Sequence, residues 1–355
     1  MTLRELLEAM EAPAMTGAEG TEITGLCYDS RRVRGGELFF GLSGLKQDGE
    51  GYVRQALAAG AVAAVVGPDF HEPGLPLVRV DEPRRALARA AARFFGDPSR
   101  ALTVVGVTGT NGKTTTTWML ESIFRAAGRV PGVLGTTGVR VAGEARPSAF
   151  TTPEAPELQG LLREMRERGV EAVALELSSH ALAQRRCYGL ECDVAVFTNL
   201  SHDHLDYHGT LEAYLDAKLM LFDGRNNPRP AKRTTAVVNL DDPAAARVCA
   251  AAAGAGHRVA GFGRSDAAAV RIVEVAMRAD GLDLLLEEDA TQTAVRLPLL
   301  GRFNAWNAAG AFAAARALAA AAAAVARGLA GAPRVPGRLE RVAEGQPFEV
   351  VVDYA

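Results

Sequence analysis

The chain has 355 residues, with 39 Lys and Arg against 42 Asp and Glu, and a formal net charge of −3. This length allows two or three domains with buried cores. The mixed charges leave no basic stripe for nucleic acid, and no apolar run is long enough to cross a bilayer or to act as an N-terminal secretory signal. The cysteines (Cys27, Cys187, Cys192, Cys249) lack Cys-x-x-C spacing and indicate reduced thiols. We therefore expect a cytoplasmic α/β protein with no membrane insertion and no nucleic-acid partner.

Residues 1–98 are predicted as the first domain. Short β-like runs and Ala-rich helical stretches alternate along it, the former at 37–41, 62–66 and 77–80 and the latter at 52–59 and 84–95. The phrase Gly96-Asp97-Pro98-Ser99 then breaks the alternation, and such residues are typical of a linker. The pattern predicts a small α/β domain that ends at residue 98.

A glycine-rich turn opens the central domain, which is predicted over residues 99–331. An apolar run at 102–107 leads into GVTGTNGKTTTT at 106–117 and then into a predicted helix. Val107 stands where the full Gly-x-x-x-x-Gly-Lys-Ser/Thr pattern has its first glycine, so the motif runs from Gly109 to Thr114. Backbone N–H groups of such a turn bind phosphate oxygens, Lys113 adds a positive charge, and the Thr114 hydroxyl suits Mg²⁺. The turn therefore predicts a nucleotide phosphate site.

Apolar strands of the central domain end in polar residues. The strands are predicted at 172–177, 194–198 and 236–239. Continuous apolar runs are typical of a parallel sheet with helices on both faces, which binds ligands beyond the carboxyl ends of its strands. Glu176 stands where a P-loop-type domain has a Mg²⁺ ligand. Ser178, Ser179 and His180 would also allow a Ser–His nucleophile, but they lack a Gly-x-Ser-x-Gly elbow.

A histidine-rich segment follows the strand at 194–198. His202, His204 and His208 occur with two aspartates within HDHLDYH. The spacing is close to the His-x-His-x-Asp-His of metallo-hydrolases, but His208 comes one residue too late for it. A metal-dependent hydrolase with His202, His204 and Asp206 as ligands remains an alternative, as does a loop stabilised by imidazole hydrogen bonds.

A helix is predicted to begin after Thr210, its N-cap. The apolar residues Leu211, Tyr214, Leu215, Leu219 and Phe222 recur at helical spacing. Lys218 lies at the edge of this apolar face. Its ammonium either extends into water or has its charge paired or removed.

Alanine runs near 251 and at 311–325 are predicted as helix, since Ala is the best helix former.

The end of the chain, residues 332–355, is predicted as a separate part. Gly331-Ala332-Pro333 to Pro336-Gly337 then ends the central domain. A strand-like run at 348–352 leads to Asp353-Tyr354-Ala355.

In order and spacing, these motifs resemble the Mur ligase family over essentially the whole chain. The shared segments are YDSR at 28–31, DG at 48–49, GTNGKTT at 109–115, TTP at 151–153, ELSSHAL at 176–182, TNLSHDHLDYHG at 198–209, DAKL at 216–219, GRFNAWN at 301–307 and PGRLE at 336–340. The Thr-Asn of the phosphate turn and Ser-Ser-His-Ala-Leu favour the branch that adds a diamino acid over the branch that adds D-Ala-D-Ala and over folylpolyglutamate synthetase.

The resemblance implies a monomeric, ATP-dependent amide-bond ligase of peptidoglycan synthesis. The N-terminal domain would bind the UDP-sugar, and a P-loop-type domain with a mostly parallel sheet would use ATP. The substrates would be UDP-N-acetylmuramoyl-L-Ala-D-Glu and a diamino acid. A free carboxylate of the first would attack the γ-phosphate of ATP to give an acyl phosphate, from which the amine of the diamino acid would displace phosphate.

The same resemblance implies roles for individual residues. Catalytic roles fall on Lys113, Glu176, His204 and Lys218. Two Mg²⁺ ions are implied, one on Thr114 and Glu176 and one on His204, with Lys218 as a carbamate beside them. ATP contacts are implied for Gly109, Thr110, Asn111, Gly112, Lys113, Thr114, Thr115, Asn304, Asn307, Arg338 and Asp353. Substrate contacts are implied for Tyr28, Ser30, Leu45, Lys46, Gln47, Thr151, Thr152, Ser178, Gln184 and Arg186.

Beyond Asp353-Tyr354-Ala355 the family motif continues with a histidine, and family members carry a C-terminal domain that binds the incoming amino acid. We therefore expect residues 332–355 to begin such a domain, and the 355-residue chain to bind substrate without completing the ligation. The choice of diamino acid is left open.

Overall fold

A computed structural model describes residues 1–13, 18–44, 48–342, 344–346, 348 and 350–354. The chain divides into two compact units. The first contains Met1–Pro98, Glu154–Arg163 and Gln184–Leu190, and the second contains Ser99–Pro153, Glu164–Ala183 and Glu191–Ala355. The first unit thus takes in two later segments besides residues 1–98. The functions assigned above to 1–98, 99–331 and 332–355 stay predictions.

The helices of the described residues follow in chain order. They are α1 Leu3–Met10, α2 Val53–Ala58, α3 Pro83–Phe94, α4 Pro98–Ala101, α5 Lys113–Ala126, α6 Ala155–Glu167, α7 Ser179–Ala183, α8 Leu205–His208, α9 Leu211–Leu219, α10 Ala245–Gly254, α11 Asn304–Ala317 and α12 Ala322–Ala330. Short 3₁₀ helices cover Ser30–Arg32 and Gly49–Tyr52.

The strands follow in the same order. They are β1 Gly25–Cys27, β2 Glu37–Phe40, β3 Ala63–Val66, β4 Leu77–Arg79, β5 Thr103–Thr108, β6 Pro131–Gly135, β7 Gly138–Val141, β8 Glu144–Arg146, β9 Ala172–Glu176, β10 Val194–Phe197, β11 Thr235–Asn239, β12 Arg258–Gly263, β13 Val270–Arg278, β14 Gly281–Glu288, β15 Thr291–Leu297, β16 Glu340–Val342 and β17 Val350–Val352.

The first unit contains a four-stranded parallel sheet in the order β1-β2-β3-β4. Strand β3 is buried along its whole length, as its apolar sequence Ala-Ala-Val-Val requires. Helix α1 begins with a capping box, in which Thr2 and Glu5 bind each other's backbone N–H groups. Leu3, Leu6 and Leu7 of this helix are buried in the core of the unit.

Within the described residues, the second unit holds an 11-stranded sheet in the order β15-β14-β13-β12-β11-β10-β5-β9-β6-β7-β8. The strands from β13 to β6 in this order run parallel, and antiparallel hairpins extend both ends. Helices α5, α10 and α11 pack around it. The predicted α/β class with a mostly parallel central sheet is confirmed, whereas the antiparallel ends are not in the prediction.

Two local expectations have different outcomes. Thr210 is the N-cap of α9, as predicted, because its hydroxyl accepts from the backbone N–H of Ala213 at 3.1 Å. The alanine run at 311–325 is not one helix, since α11 ends at Ala317, Ala319 has a left-handed φ of 61° and α12 begins at Ala322. Among the described helices, none combines the length and the apolar character needed to cross a membrane.

Candidate active site

The phosphate turn lies between β5 and α5, with Gly112 at the N-cap of the helix. Gly112 has a φ of +85°, and a Cβ there would lie 2.2 Å from Asn307 Oδ1, so glycine is required both by conformation and by space. Lys113 Nζ donates to the carbonyl oxygens of Gly109 at 2.9 Å and Thr110 at 2.7 Å. Free N–H groups at the start of a helix and a lysine beside them form a site for an anion.

The segment after β10 holds this turn in place. Thr198 Oγ1 donates to the carbonyl of Asn111 at 2.7 Å, and the N–H of Thr110 donates to the carbonyl of Asn199 at 2.8 Å. The side chain of Asn199 also accepts from the N–H of Asn111 at 3.0 Å. Sequence reasoning assigned no such role to Thr198 and Asn199. The signal in the sequence is their position at the carboxyl end of the strand predicted at 194–198, which belongs to the same parallel sheet as the strand before the turn.

Glu176 ends β9, directly beside β5, and is only 1% exposed. The N–H of Thr136 donates to Oε1 at 2.9 Å, and the Thr136 hydroxyl donates to Oε2 at 3.1 Å. The Thr114 side chain also hydrogen-bonds this carboxyl group. Burial raises the pKa of Glu176, while these hydrogen bonds and the charge of Lys113 oppose the rise. The structure thus brings Thr114 and Glu176 together, as the sequence predicts.

Lys218 of α9 is 1% exposed, so its ammonium does not extend into water. Its Nζ lies 4.0 Å from the ring centre of Tyr214, whose hydroxyl hydrogen-bonds Thr110 Oγ1 at 3.2 Å. Burial, and then the charge of Lys113, lower the pKa of Lys218 well below its usual value, with Asp203 acting in the opposite direction. The pKa of Lys113 is also lowered by burial, and the negative charges of Glu176 and Asp203 oppose this decrease. Asp203 is therefore a charge of this site that the sequence reasoning did not single out, although it lies between His202 and His204.

The histidines form an aromatic cluster. His204 precedes α8 with a left-handed φ of 53°, and its ring centre lies 4.8 Å from that of His180. His208 Nε2 is 3.0 Å from Ser179 Oγ, and burial followed by the charge of nearby His180 lowers the pKa of His208 to about 4. Within the part of the chain that the structure describes, no three His, Cys, Asp or Glu side chains are grouped closely enough to hold a metal ion. The ring contacts and the His208–Ser179 hydrogen bond agree with a loop stabilised by imidazole contacts.

The residues predicted to lie near adenine and ribose come from α11 and the end of the chain. Asn304 and Asn307 are buried one helical turn apart, and Asn307 Nδ2 donates to Asn304 Oδ1 at 2.8 Å. Arg338 Nη1 donates to the carbonyl of Tyr354 at 2.6 Å, and Asp353 accepts from the N–H of Leu339 at 3.3 Å. The charge of Arg338 acts on the pKa of Lys113, which places it near the phosphate turn.

Several predicted substrate residues belong to the first unit. Tyr28 donates to Glu157 Oε1 at 2.8 Å, and Ser30 donates to Gln55 Oε1 at 3.2 Å. Tyr28 and Ser30 line a cavity of about 460 Å³. In the same unit Arg186 donates to Gln184 Oε1, through Nη2 at 2.6 Å, and pairs with Glu154 at 3.0 Å. Leu45, Lys46 and Gln47, predicted as further contacts, lie outside the described residues.

Other predicted substrate residues belong to the second unit. Thr152 Oγ1 donates to the carbonyl of Glu176 at 2.8 Å and accepts from the N–H of Ser178 at 3.1 Å. Thr151 Oγ1 is 3.0 Å from Thr136 Oγ1. Thr136 therefore joins a predicted substrate residue to the carboxylate of Glu176. No motif marked it in the sequence, because it lies in a turn far from Glu176 along the chain.

Comparison with known proteins places this geometry in a family. Residues 107–315 match the Mur ligase middle domain, and residues 22–95 match the Mur ligase family catalytic domain. The UDP-N-acetylmuramoyl-L-alanyl-D-glutamate–2,6-diaminopimelate ligase of Geobacter metallireducens is 42% identical over 359 residues, which cover 100% of this chain and 69% of that protein.

Solved structures agree with the sequence matches. A UDP-N-acetylmuramoyl-L-alanyl-D-glutamate–2,6-diaminopimelate ligase superimposes with a TM-score of 0.87 at 29% identity, covering 100% of this chain and 72% of its own. MurF from Acinetobacter baumannii gives a TM-score of 0.69 at 23% identity, covering 99% of this chain and 72% of its own, which shows a shared fold.

The chain belongs to the Mur ligase family. It is thus an ATP-dependent amide ligase of peptidoglycan synthesis. The matches at 42% identity carry the name of the branch that adds a diamino acid, in agreement with the resemblance read from the motifs.

Proposed function

We propose that this ligase joins a diamino acid to UDP-N-acetylmuramoyl-L-Ala-D-Glu through an acyl phosphate. The name of the Geobacter relative makes 2,6-diaminopimelate the first candidate for the added amino acid. The observation that carries the proposal is the phosphate turn itself, where Lys113 lies beside the open N-terminus of α5 and the buried Lys218 lies close enough for the charge of Lys113 to act on it. Free N–H groups at a helix start and a neighbouring lysine bind anions, and a polyphosphate supplies such anions.

The phosphate turn and Lys113 carry the proposed activation step. Amide groups of the turn bind the β- and γ-phosphates, and Lys113 stabilises negative charge as the γ-phosphoryl group passes to the substrate carboxylate. The amine of the diamino acid then attacks the acyl carbon, and inorganic phosphate leaves. Asn304, Asn307, Arg338 and Asp353 are proposed contacts of the nucleoside part, together with Thr110, Asn111 and Thr115 of the turn and helix.

The oxygen donors of Thr114 and Glu176 fit a Mg²⁺ ion, which prefers hard oxygen ligands. When bound, such an ion neutralises charge on the transferred phosphoryl group. His204 with a protonated Lys218 does not make a second cation site, because an ammonium group cannot be a ligand. A carbamate on Lys218 would provide one, and the lowered pKa of Lys218 favours the neutral amine that attacks CO₂ and then releases a proton to water.

The substrate residues are proposed in two sets. Tyr28, Ser30, Gln184 and Arg186 of the first unit would contact the UDP-sugar and its peptide, as would Leu45, Lys46 and Gln47. Thr151, Thr152 and Ser178 of the second unit would contact the muramoyl-peptide. Residues 1–98 are accordingly proposed as the UDP-sugar-binding domain and 99–331 as the ATPase domain.

We also place the protein in the cytoplasm as a monomer, since ATP and UDP-linked precursors are cytoplasmic reactants. Sedimentation of the purified chain tests the oligomeric state, and a stable dimer would contradict it.

Isothermal titration tests the substrate. UDP-N-acetylmuramoyl-L-Ala-D-Glu is expected to bind more tightly than UDP alone, because UDP lacks the muramoyl-peptide that Gln184 and Arg186 would contact. Equal affinity, or no heat at millimolar ligand, would contradict the assignment. A ligation assay that compares 2,6-diaminopimelate with L-lysine tests the second substrate. It uses a chain that also carries the C-terminal domain of the family, and a preference for lysine would overturn the first candidate.

A further inference from the structure

Trp118, Glu121 and Arg140 form a cluster in the second unit, one turn of α5 beyond the phosphate residues. The guanidinium carbon of Arg140 lies 3.8 Å from the ring centre of Trp118, and Arg140 Nε donates to Glu121 Oε2 at 2.7 Å. Glu121 and Arg140 are both buried. A buried ion pair is a poor source of stability, but removal of one partner is strongly destabilising, so its geometry is narrowly fixed.

This cluster contacts the turn between β6 and β7. Trp118 Nε1 donates to Thr137 Oγ1 at 3.0 Å, and Arg140 lies on β7, directly after the turn. Gly135 and Gly138 close the turn as paired residues of the two strands. The cluster therefore links α5 to the Thr137 side chain of the turn and to strand β7, which follows the turn.

The other side of the same turn faces Glu176. Thr136 donates to both carboxylate oxygens of Glu176, from its N–H at 2.9 Å and its hydroxyl at 3.1 Å. A Cβ on Gly135 would lie 2.0 Å from Glu176 Oε1, so the backbone of the turn is in direct contact with the carboxylate. A shift of the turn would therefore change the hydrogen bonds that hold the Glu176 carboxylate.

We propose that Trp118, Glu121 and Arg140 are positioning residues, which fix the Thr136–Thr137 turn and through it orient the Glu176 carboxylate toward a divalent cation. The proposal rests on the role proposed above for Glu176 and Thr114. Thr114 lies on α5 and Glu176 on β9, and the cluster on α5 holds the turn that holds Glu176. It thus sets the distance between two oxygen ligands that come from different elements.

The test measures ATP affinity of the 355-residue chain by titration, with Mg²⁺ and without it. Thr137→Val removes the acceptor for Trp118 at nearly constant volume, and Thr137→Ser retains it. In Thr137→Val, the gain in ATP affinity that Mg²⁺ produces is expected to fall by about threefold to tenfold, the range of one hydrogen bond. Affinity without Mg²⁺ is expected to stay constant, and Thr137→Ser should behave as the unaltered chain does.

Two further variants sharpen the result. Trp118→Phe keeps a ring against Arg140 but loses the indole N–H, and it should reproduce the effect of Thr137→Val. Arg125→Ala is the matched control, because Arg125 pairs with the same Glu121 from the exposed side of α5. It should leave the Mg²⁺-dependent gain unchanged.

A full Mg²⁺-dependent gain in Thr137→Val would overturn the proposal. An equal loss of affinity with and without Mg²⁺ would also overturn it, because the cluster would then be a general support of the phosphate turn. The variant Glu176→Gln separates the positioning proposal from the proposal that Glu176 is a ligand of the Mg²⁺ ion. If that variant keeps the gain, Glu176 is not a cation ligand and both proposals are wrong, whereas its loss with an unchanged Thr137→Val refutes the positioning role alone.

Discussion

Gly112→Ala is expected to weaken both the fold of the second unit and its affinity for ATP, and Gly128→Ala is its matched control. The two glycines flank α5 and have nearly the same backbone conformation, with φ of +85° and +77°. A Cβ on Gly128 meets no atom within 4 Å, whereas a Cβ on Gly112 would lie 2.2 Å from Asn307 Oδ1. The difference between the two variants therefore isolates the contact with Asn307.

The expected magnitudes follow from these contacts. A left-handed conformation costs an L-residue about 1–2 kcal/mol, partly offset by about 0.4–1 kcal/mol because alanine restricts the unfolded chain. Both variants share these contributions. In Gly112→Ala the buried Asn307 must also move, which disrupts its 2.8 Å hydrogen bond to Asn304. Leaving buried polar groups unpaired costs about 1–3 kcal/mol, which is the expected difference in the free energy of unfolding.

Urea denaturation followed by tryptophan fluorescence measures this difference, since Trp118 and Trp306 both belong to the second unit and are the only tryptophans of the sequence. ATP titration supplies the second readout. Gly112→Ala should lose about tenfold or more in ATP affinity, equivalent to about 1.4 kcal/mol, and Gly128→Ala should lose none. Equal unfolding free energies and equal ATP affinities in the two variants would refute the reasoning.

Three other changes probe the remaining parts of the site. In a chain that also carries the C-terminal domain of the family, Lys218→Ala should abolish amide formation, and a short carboxylic acid should restore part of it by taking the place of the carbamate; a variant with normal turnover would contradict the carbamate. Arg186→Ala should weaken binding of UDP-N-acetylmuramoyl-L-Ala-D-Glu by about 1.5–3 kcal/mol, the range of a charge-assisted hydrogen bond, whereas Arg185→Ala should not; titration of both variants decides the matter. His208 has a folded-state pKa of about 4 against an ordinary 6.5, so the unfolded state binds more protons between these values and stability should fall as pH falls from about 6.5 to 4. His208→Gln should flatten that part of the stability profile, and identical profiles would argue against the shift.

The parts of the fold that the sequence predicts are those with a local pattern. Strand β9 is a continuous apolar run that ends in Glu176, and β5 leads directly into glycines and a lysine, so both the strands and the phosphate turn follow from neighbouring residues. Thr210 is recognisable as an N-cap because its partner is three residues away.

Other features depend on contacts between distant residues. Nothing in the sequence around Thr136 distinguishes it from other turn residues. It contacts Glu176 because β6 pairs with β9 in the sheet. Lys218 looks like the edge of an amphipathic helix, yet it is buried because other elements cover that edge. The inclusion of Glu154–Arg163 and Gln184–Leu190 in the first unit likewise has no local signal, because it depends on where distant segments meet.

The pairing of β5 has a consequence for how the second unit assembles. Its neighbours in the sheet are β9 and β10, so Thr103 aligns with Ala172 and Val105 with Val194. Loops of this length close more slowly than the hairpins β13–β14 and β14–β15 at the end of the same sheet, which join strands adjacent in sequence. We therefore expect the hairpins to gain protection from hydrogen exchange early during refolding and β5 to gain it late. The ability to bind ATP, which needs the turn after β5, should then appear only in the final phase of refolding.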